Sequence, residues 1–271
     1  MNINQNNIKA WTIPEGAVFK VVDSNNVTLW ERPYVEECFA INKCNPNDST
    51  ALVVSIDNGT GISHTFYYSW DNTVWYTLTN SGGFSYIDCT IHNKLYIKHD
   101  GGLGRLSSGN PVGVIFFTNT PVYLTGNASW LINQNGPNSI TSDSDIPVYA
   151  FYNTFINNFF IDAHLMKMPL YTNNRCCYRM FYNNTGLLSA PILPATQLTT
   201  NCYQDMFRGC SRLNYISCAA TQNIVTYTGN WVNGVQTTSG TFICPSSVEP
   251  GQPNGWTYGN DGIPMNWDVN P

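Results

Sequence analysis

This sequence carries little charge. Asp, Glu, Lys and Arg make up 11% of it, where an average globular chain has about 25%. Asn, Thr, Ser, Gly and aromatic residues stand in their place. Long amphipathic helices need Glu, Lys, Ala and Leu on their solvent faces, so the composition argues for strands and turns. The formal net charge of −5 speaks against the strong basic footprint that nucleic-acid binding requires. No apolar run approaches the ~18 residues of a membrane helix, so no membrane insertion is expected. The opening MNINQNNIKAWTIPEG lacks the charged-then-apolar order of a secretory signal. The expectation is a chain that folds where it is made.

Catalytic constellations are missing as well. No CxxC occurs, and the nine cysteines are an odd number, which full pairing within one chain cannot use up. Reduced thiols filling tight interior positions are the better reading. The adjacent pair Cys176–Cys177 suits tetrahedral chelation poorly, so zinc is not expected. Asp143 and Asp145 flank Ser144 in a Ser/Thr-rich stretch, where a D-x-D is a capping or turn device sooner than an acid pair or a calcium site. His64, His92, His99 and His164 are dispersed and read as solvated strand-end residues. No Gly-x-Ser-x-Gly elbow exists. Gly101, Gly102 and Gly104 fit no phosphate or dinucleotide loop, because no helix-forming run follows. The expectation is a non-enzyme with no catalytic residue, cofactor or metal.

What the chain does have is aromatics and a repeat. Sixteen Tyr, thirteen Phe and eight Trp supply strand propensity and core volume. A slide of 26 residues puts Phe155 on Phe181 and Phe207, Cys176 on Cys202, Met180 on Met206 and Leu187 on Leu213. It also puts Tyr152 on Tyr178 and Asn157-Asn158 on Asn183-Asn184. A period in the twenties signals units that bury their apolar faces only by stacking on one another. Within each unit, Cys-Tyr-x-x-Met-Phe reads as one helical turn with a polar stop, followed by an extended limb at Leu187–Leu193. After Cys218 the period fades.

The predicted fold is mainly β, in five parts. Residues 1–34 form an N-terminal β-hairpin unit, with strands at Ala17–Val22 and Val27–Trp30 around a turn at Asp23–Asn26. Residues 35–118 form an antiparallel β-sandwich, from strands spaced 8–12 residues apart. Its central hairpin joins Thr65–Trp70 to Thr73–Leu78 across Asp71-Asn72. Residues 119–150 are a turn-rich connecting segment and 151–218 a short solenoid. Residues 219–271 are a C-terminal cap in which Trp231, Trp256 and Trp267 plug the stack.

The phrase APILPATQLTTNCYQDMFRGCSRLN resembles the leucine-rich repeats of the BspA-like class, common in surface proteins of gut Bacteroidales and in the appendages of their phages. The ending NWVNGV…SGTFICP…GWTYGNDGIPMNW and the earlier YSWDNTVWYTL…NKLYIKHD are similar to segments that accompany such repeats. The opening IPEGAVFKVVDSNNVTLWERP is similar to N-terminal units of phage structural proteins. The first repeat departs from the pattern, with IDAHLMKMPLYTNNRC where a proline-rich limb would stand. The resemblance implies a leucine-rich-repeat-like solenoid in a virion structural protein, a tail or head fibre or decoration that contacts the host. Its partners would be other virion proteins through the N-terminal region, further copies of itself, and a host-surface glycan or protein. A bacterial cell-surface adhesin or glycan-binding module is the alternative.

Exposed Trp and Tyr are flat platforms for such contacts. Trp70, Trp75 and Tyr76 on the central hairpin, and Tyr171 and Tyr178 in the repeat, are the candidate contact residues, although strand alternation turns about half of any such set inward. A lone hairpin is barely stable in water. Trp11, Phe19 and Trp30 are therefore the candidate residues with which the first unit lies against a partner.

Overall fold

The computed structural model describes the backbone of residues 8–12, 19–23 and 28–32, and residues 38–47, 49–107, 109–156, 159–222, 224–236 and 238–270. It is mainly β and divides into two compact units, 1–37 and 38–271. In the first, strands β1 (Ile8–Thr12), β2 (Phe19–Asp23) and β3 (Thr28–Arg32) pair antiparallel in the order β1-β2-β3. The expected hairpin is thus β2–β3, with Val21 opposite Trp30, and a third strand adds Trp11 opposite Val21. A third strand supplies pairing that a lone hairpin lacks. Residues 17, 18, 24–27 and 33 of the expected hairpin lie outside the described residues, as do the side chains of Trp11, Phe19 and Trp30.

The second unit begins with strands β4 (Ala40–Lys43), β5 (Leu52–Asn58), β6 (His64–Ser69), β7 (Tyr76–Asn80), β8 (Gly83–Cys89) and β9 (Lys94–His99). Then come β10 (Gly104–Ser107), β11 (Asn110–Thr118) and β12 (Val122–Asn127). Strand β5 alternates buried and half-buried residues, Leu52, Val54 and Ile56 facing inward, as the pleat dictates. Strands β10-β11-β5-β8 form one antiparallel sheet, and β4-β9-β6-β7 form the antiparallel end of a second. The sheets meet where Phe66 of β6 sets its ring against Phe116 of β11, centroids 6.0 Å apart.

Strand β12 is the pivot. It pairs antiparallel with β4 and parallel with β13 (Phe160–Lys167). Residues 119–150 are thus not a mere connector: they contain the strand that joins the two architectures in one ten-stranded sheet. Beyond β13 the sheet continues through β14 (Ser189–Leu193), β15 (Tyr215–Cys218), β16 (Thr241–Ile243) and β17 (Asp268–Asn270), all parallel. Ser189 lies opposite Tyr215, Tyr215 opposite Thr241, and Thr241 opposite Asp268, steps of 26, 26 and 27 residues. The period therefore persists past Cys218 in the backbone after the residue types have changed.

An aromatic spine explains how. Phe116 packs on Phe155 at 5.9 Å, Phe155 on Phe181 at 5.4 Å and Phe181 on Phe207 at 5.8 Å. The column then passes to Trp231 at 5.9 Å and Trp256 at a further 5.3 Å. Each of these rings is fully buried, and burying one contributes about 1.5–3 kcal/mol. Tryptophan takes over the phenylalanine slot, so a search for repeated Phe loses the trail.

The coils that carry the spine are not helical turns. Arg175, Arg179 and Asn183 have φ of 51°, 56° and 55°, and Asn201, Asp205 and Gly209 repeat this with 52°, 53° and 79°. A helix admits no such residue. Alternate amides bond within the coil, Tyr178 N to Arg175 O and Met180 N to Cys177 O. The amides between them reach the next coil, Cys177 N to Cys202 O and Phe181 N to Met206 O. Backbone groups that a helix would satisfy internally thus hold neighbouring coils together.

Candidate contact surface

The β6–β7 connection is a six-residue loop, 70–75, longer than the two-residue turn expected. Asp71 Oδ1 accepts from Ser69 Oγ, Thr73 N and Val74 N at 3.0, 2.8 and 2.9 Å. These bonds, led by the Val74 and Thr73 amides, hold its carboxyl well below the usual range. Asn72 takes φ 63° within the loop.

This loop decides where the hairpin aromatics go. Trp70 is half-buried, stacked on His92 at 4.8 Å and packed against Tyr76 at 4.9 Å. Tyr76 is 44% exposed. Trp75 receives Lys98 Nζ 3.8 Å from its ring centroid, and the same ammonium lies 4.5 Å from the centroid of Trp130. A cation between two indoles is worth about 0.5–1 kcal/mol per contact at such a surface. Tyr67 lies opposite both Thr77 and Lys98, so hydroxyls, indoles and an ammonium share the outer face of β7-β6-β9.

Next to this face opens a cleft of ≈ 410 Å³, whose lining includes Thr65, Tyr67, Gln134, Arg105, His64 and His99. The two histidines correct the reading of solvated strand-end residues. They are 5% and 2% exposed, with His64 Nδ1 2.9 Å from His99 Nε2. The pleat that turns Leu95 and Ile97 inward turns His99 inward with them. That alternation was a signal in the sequence; the partner 35 residues away was not.

The pair belongs to a chain that ends on two acceptors. Asn58 Nδ2 donates to Ile62 O and Asn80 O, which leaves Asn58 Oδ1 to accept from Thr60 Oγ1 at 2.6 Å. Thr60 Oγ1 meets His64 Nε2 at 2.9 Å, and at the far end His99 Nδ1 faces Leu131 O at 3.3 Å. With both rings neutral, three protons serve four contacts. Burial, and after it the charge of Arg105, lowers the His64 pKa. Burial, and after it His64, brings His99 down to about 3. The Arg105 guanidinium is held in place by Nε and Nη2 donating to Thr60 O at 2.9 and 2.6 Å.

At the other end of the sheet, Tyr171 is half-buried against the core. Tyr178 joins a cluster on the coils, its ring 5.6 Å from Tyr152 and 5.0 Å from the Arg179 guanidinium. Arg179 also lies 5.0 Å from the Tyr182 ring, and Arg208 lies 5.9 Å from it. The five aromatics expected at the surface thus fall into separate groups: Trp70, Trp75 and Tyr76 around the loop, and Tyr171 and Tyr178 in the segment between β13 and β14.

The remaining polar groups act locally. Asp145 Oδ2 accepts from Thr141 N and Ser142 N, both at 2.9 Å, and Asp143 Oδ1 accepts from Thr172 N at 3.1 Å. They fasten the loop before the first coil. His164 is exposed and meets Asp162 at 2.8 Å. All nine cysteines are free, and all but the half-buried Cys44 are buried. Burial pushes the Cys218 thiol up to about 12 and Cys89 to about 11, which suppresses the thiolate that reactivity needs. Among the described residues, no three His, Cys, Asp or Glu side chains converge as a metal site.

Comparison with models of protein families, with curated proteins and with solved structures finds no match for this chain.

Proposed function

We propose that this protein is a non-enzymatic structural component of a bacteriophage particle, a tail or head fibre or a decoration. It joins other virion proteins, and copies of itself, through its N-terminal sheet and presents its body to the host surface. In this reading the body is an antiparallel sandwich followed by a short leucine-rich-repeat-like solenoid with a C-terminal cap.

The observation that carries the reading is the division of the chain into a small sheet, residues 1–37, and a large body, residues 38–271. Three strands of five residues each have little capacity to bury a core, so such a unit gains stability from a partner surface. An anchor of this kind and a separately folded displayed body suit multivalent attachment, where weak contacts repeated on one particle add up to strong adhesion. The outer face with Trp75, Lys98, Trp130 and Tyr67 favours the second reading, a cell-surface adhesin or glycan-binding module.

Quantitative mass spectrometry of purified particles tests the choice. A copy number fixed relative to the capsid protein is the expected result. Absence from particles together with enrichment on bacterial envelopes would overturn the virion reading in favour of the adhesin.

A further inference from the structure

The cations of this chain are unevenly placed. Between residues 163 and 248 stand Lys167, Arg175, Arg179, Arg208 and Arg212 against a single acid, Asp205. The stretch is net +4 in a chain of net −5. Charge asymmetry of this kind creates a local potential that the overall charge conceals.

The coils gather part of that charge into one ridge. Arg179 lies 5.0 Å from the ring centroids of both Tyr178 and Tyr182, and Arg208 is 5.9 Å from Tyr182. Asp205 is buried between them, 3.6 Å from Arg179 Nε and 3.2 Å from Arg208 Nη1. One carboxylate therefore faces two guanidinium groups that stay 35% and 41% exposed. Arg179 Nε is itself buried without a hydrogen bond. Arg175, half-buried in the same coil, holds no side-chain hydrogen bond among the described residues. A guanidinium stacked on a tyrosine keeps its donors at the plane's edge, where they match a carboxylate in bidentate fashion.

The backbone gives a second, independent indication. Arg175 and Arg179 occupy left-handed slots, φ 51° and 56°, that the next coil fills with Asn201 and Asp205 at 52° and 53°. Asn and Asp enter that region most readily among residues with a side chain. The preceding coil fills the same slots with Tyr149 and Asn153, at 60° and 56°; asparagine would form the coil more easily, so the backbone by itself does not call for arginine in either slot. Residues kept in costly conformations are a reason to look for function.

From this convergence we propose that the ridge of Arg175, Tyr178, Arg179, Tyr182 and Arg208 binds an acidic polysaccharide through its carboxylates. The proposal names a ligand class for the adhesive role above and rests on that reading for its biological setting. A carboxylated polymer fits better than a nucleic acid because the tyrosine faces are taken up by guanidinium groups and by one another. Tyr178 packs on Tyr152 at 5.6 Å, and Tyr149 on Tyr178 at 6.3 Å. Single-stranded nucleic acid needs free rings on which bases stack.

The test is calorimetry of the full chain with polygalacturonate, neutral dextran and a single-stranded DNA oligonucleotide. Polygalacturonate is expected to bind, weakening as salt rises from about 50 to about 300 mM, and dextran is not. Arg175→Asn and the double variant R175N/R179N place asparagine in slots it suits. The double variant is expected to lose about tenfold or more in affinity, a change of about 1.4 kcal/mol. Arg175→Asn, which leaves the Asp205 pairing untouched, is expected to lose part of that while melting like the parent. No binding of polygalacturonate at low salt, equal binding by folded Arg175→Asn and parent, or tighter binding of DNA would each overturn the proposal. Absence of the chain from phage particles would remove the virion reading and leave this binding result standing.

Discussion

His64 Nδ1 and His99 Nε2 stand 2.9 Å apart in the interior of the second unit. Around them are Arg105 on β10, whose charge disfavours a second cation, the exposed Asp100 on the rim of the cleft, and Tyr67 on β6. The folded state holds His99 neutral down to a pKa of about 3, whereas the unfolded chain protonates it near 6.5. The unfolded state therefore binds more protons between these values, and stability falls as the pH drops below about 6.5. The slope is about 1.4 kcal/mol per pH unit for one such group. Denaturant midpoints at pH 7.5, 6 and 5 are expected to decline in this way, above the range where the lowered Asp71 and Asp88 titrate. His99→Leu, which matches the inward row of Leu95 and Ile97, is expected to flatten the slope. An unchanged slope in that variant would show that the pair is not its source.

The aromatic spine makes its middle positions the most costly to truncate. Phe181 contacts Phe155 and Phe207 and is fully buried. Phe181→Ala is expected to lose about 3–5 kcal/mol, a large part of the ~5–15 kcal/mol that stabilises a domain. Phe84→Ala, at a position 58% exposed, is expected to change stability by at most about 0.5 kcal/mol. Equilibrium unfolding of the two variants side by side checks the contrast.

Gly209 carries φ 79°, and a Cβ there would lie 2.1 Å from Asn183 Oδ1 in the preceding coil. Gly209→Ala combines a left-handed backbone with a steric clash and is expected to cost about 1–3 kcal/mol. Hydrogen exchange should place the loss in the bonds between coils, such as Asn183 N to Arg208 O and Gly209 N to Asn233 O. Unaltered protection of those amides would show that the coil tolerates the added methyl group.

Thiol reactivity follows burial. Native protein treated with iodoacetamide is expected to be modified at Cys44 first and slowly, because burial, then Asp162, raises that thiol's pKa. The other eight cysteines are buried and are expected to react only after unfolding, when intact mass should show nine additions. Rapid modification of Cys176 or Cys177 in native protein would contradict the closed interior of the first coils.

Much of this molecule was legible in its residues, because strand alternation and coil period are local properties carried by residue type. Low charge with abundant Tyr, Phe and Thr pointed to strands, and Leu52, Val54 and Ile56 alternate inward as that pattern requires. The 26-residue slide found Phe155, Phe181 and Phe207, three consecutive rings of the spine. What the tertiary structure alone decided depends on partners far apart in the chain. Strand β12 turns antiparallel pairing with β4 into parallel pairing with β13, and no local pattern marks which strands close on which. Trp231 and Trp256 continue the spine because a buried slot selects apolar volume, not identity. The helical turn read from Cys-Tyr-x-x-Met-Phe became a coil with positive φ at Arg175, Arg179 and Asn183 because its amides found the next coil as acceptors, bonds that exist only once the coils are stacked. His64 meets His99 by the same route: packing brings together groups whose spacing in sequence carries no sign of it.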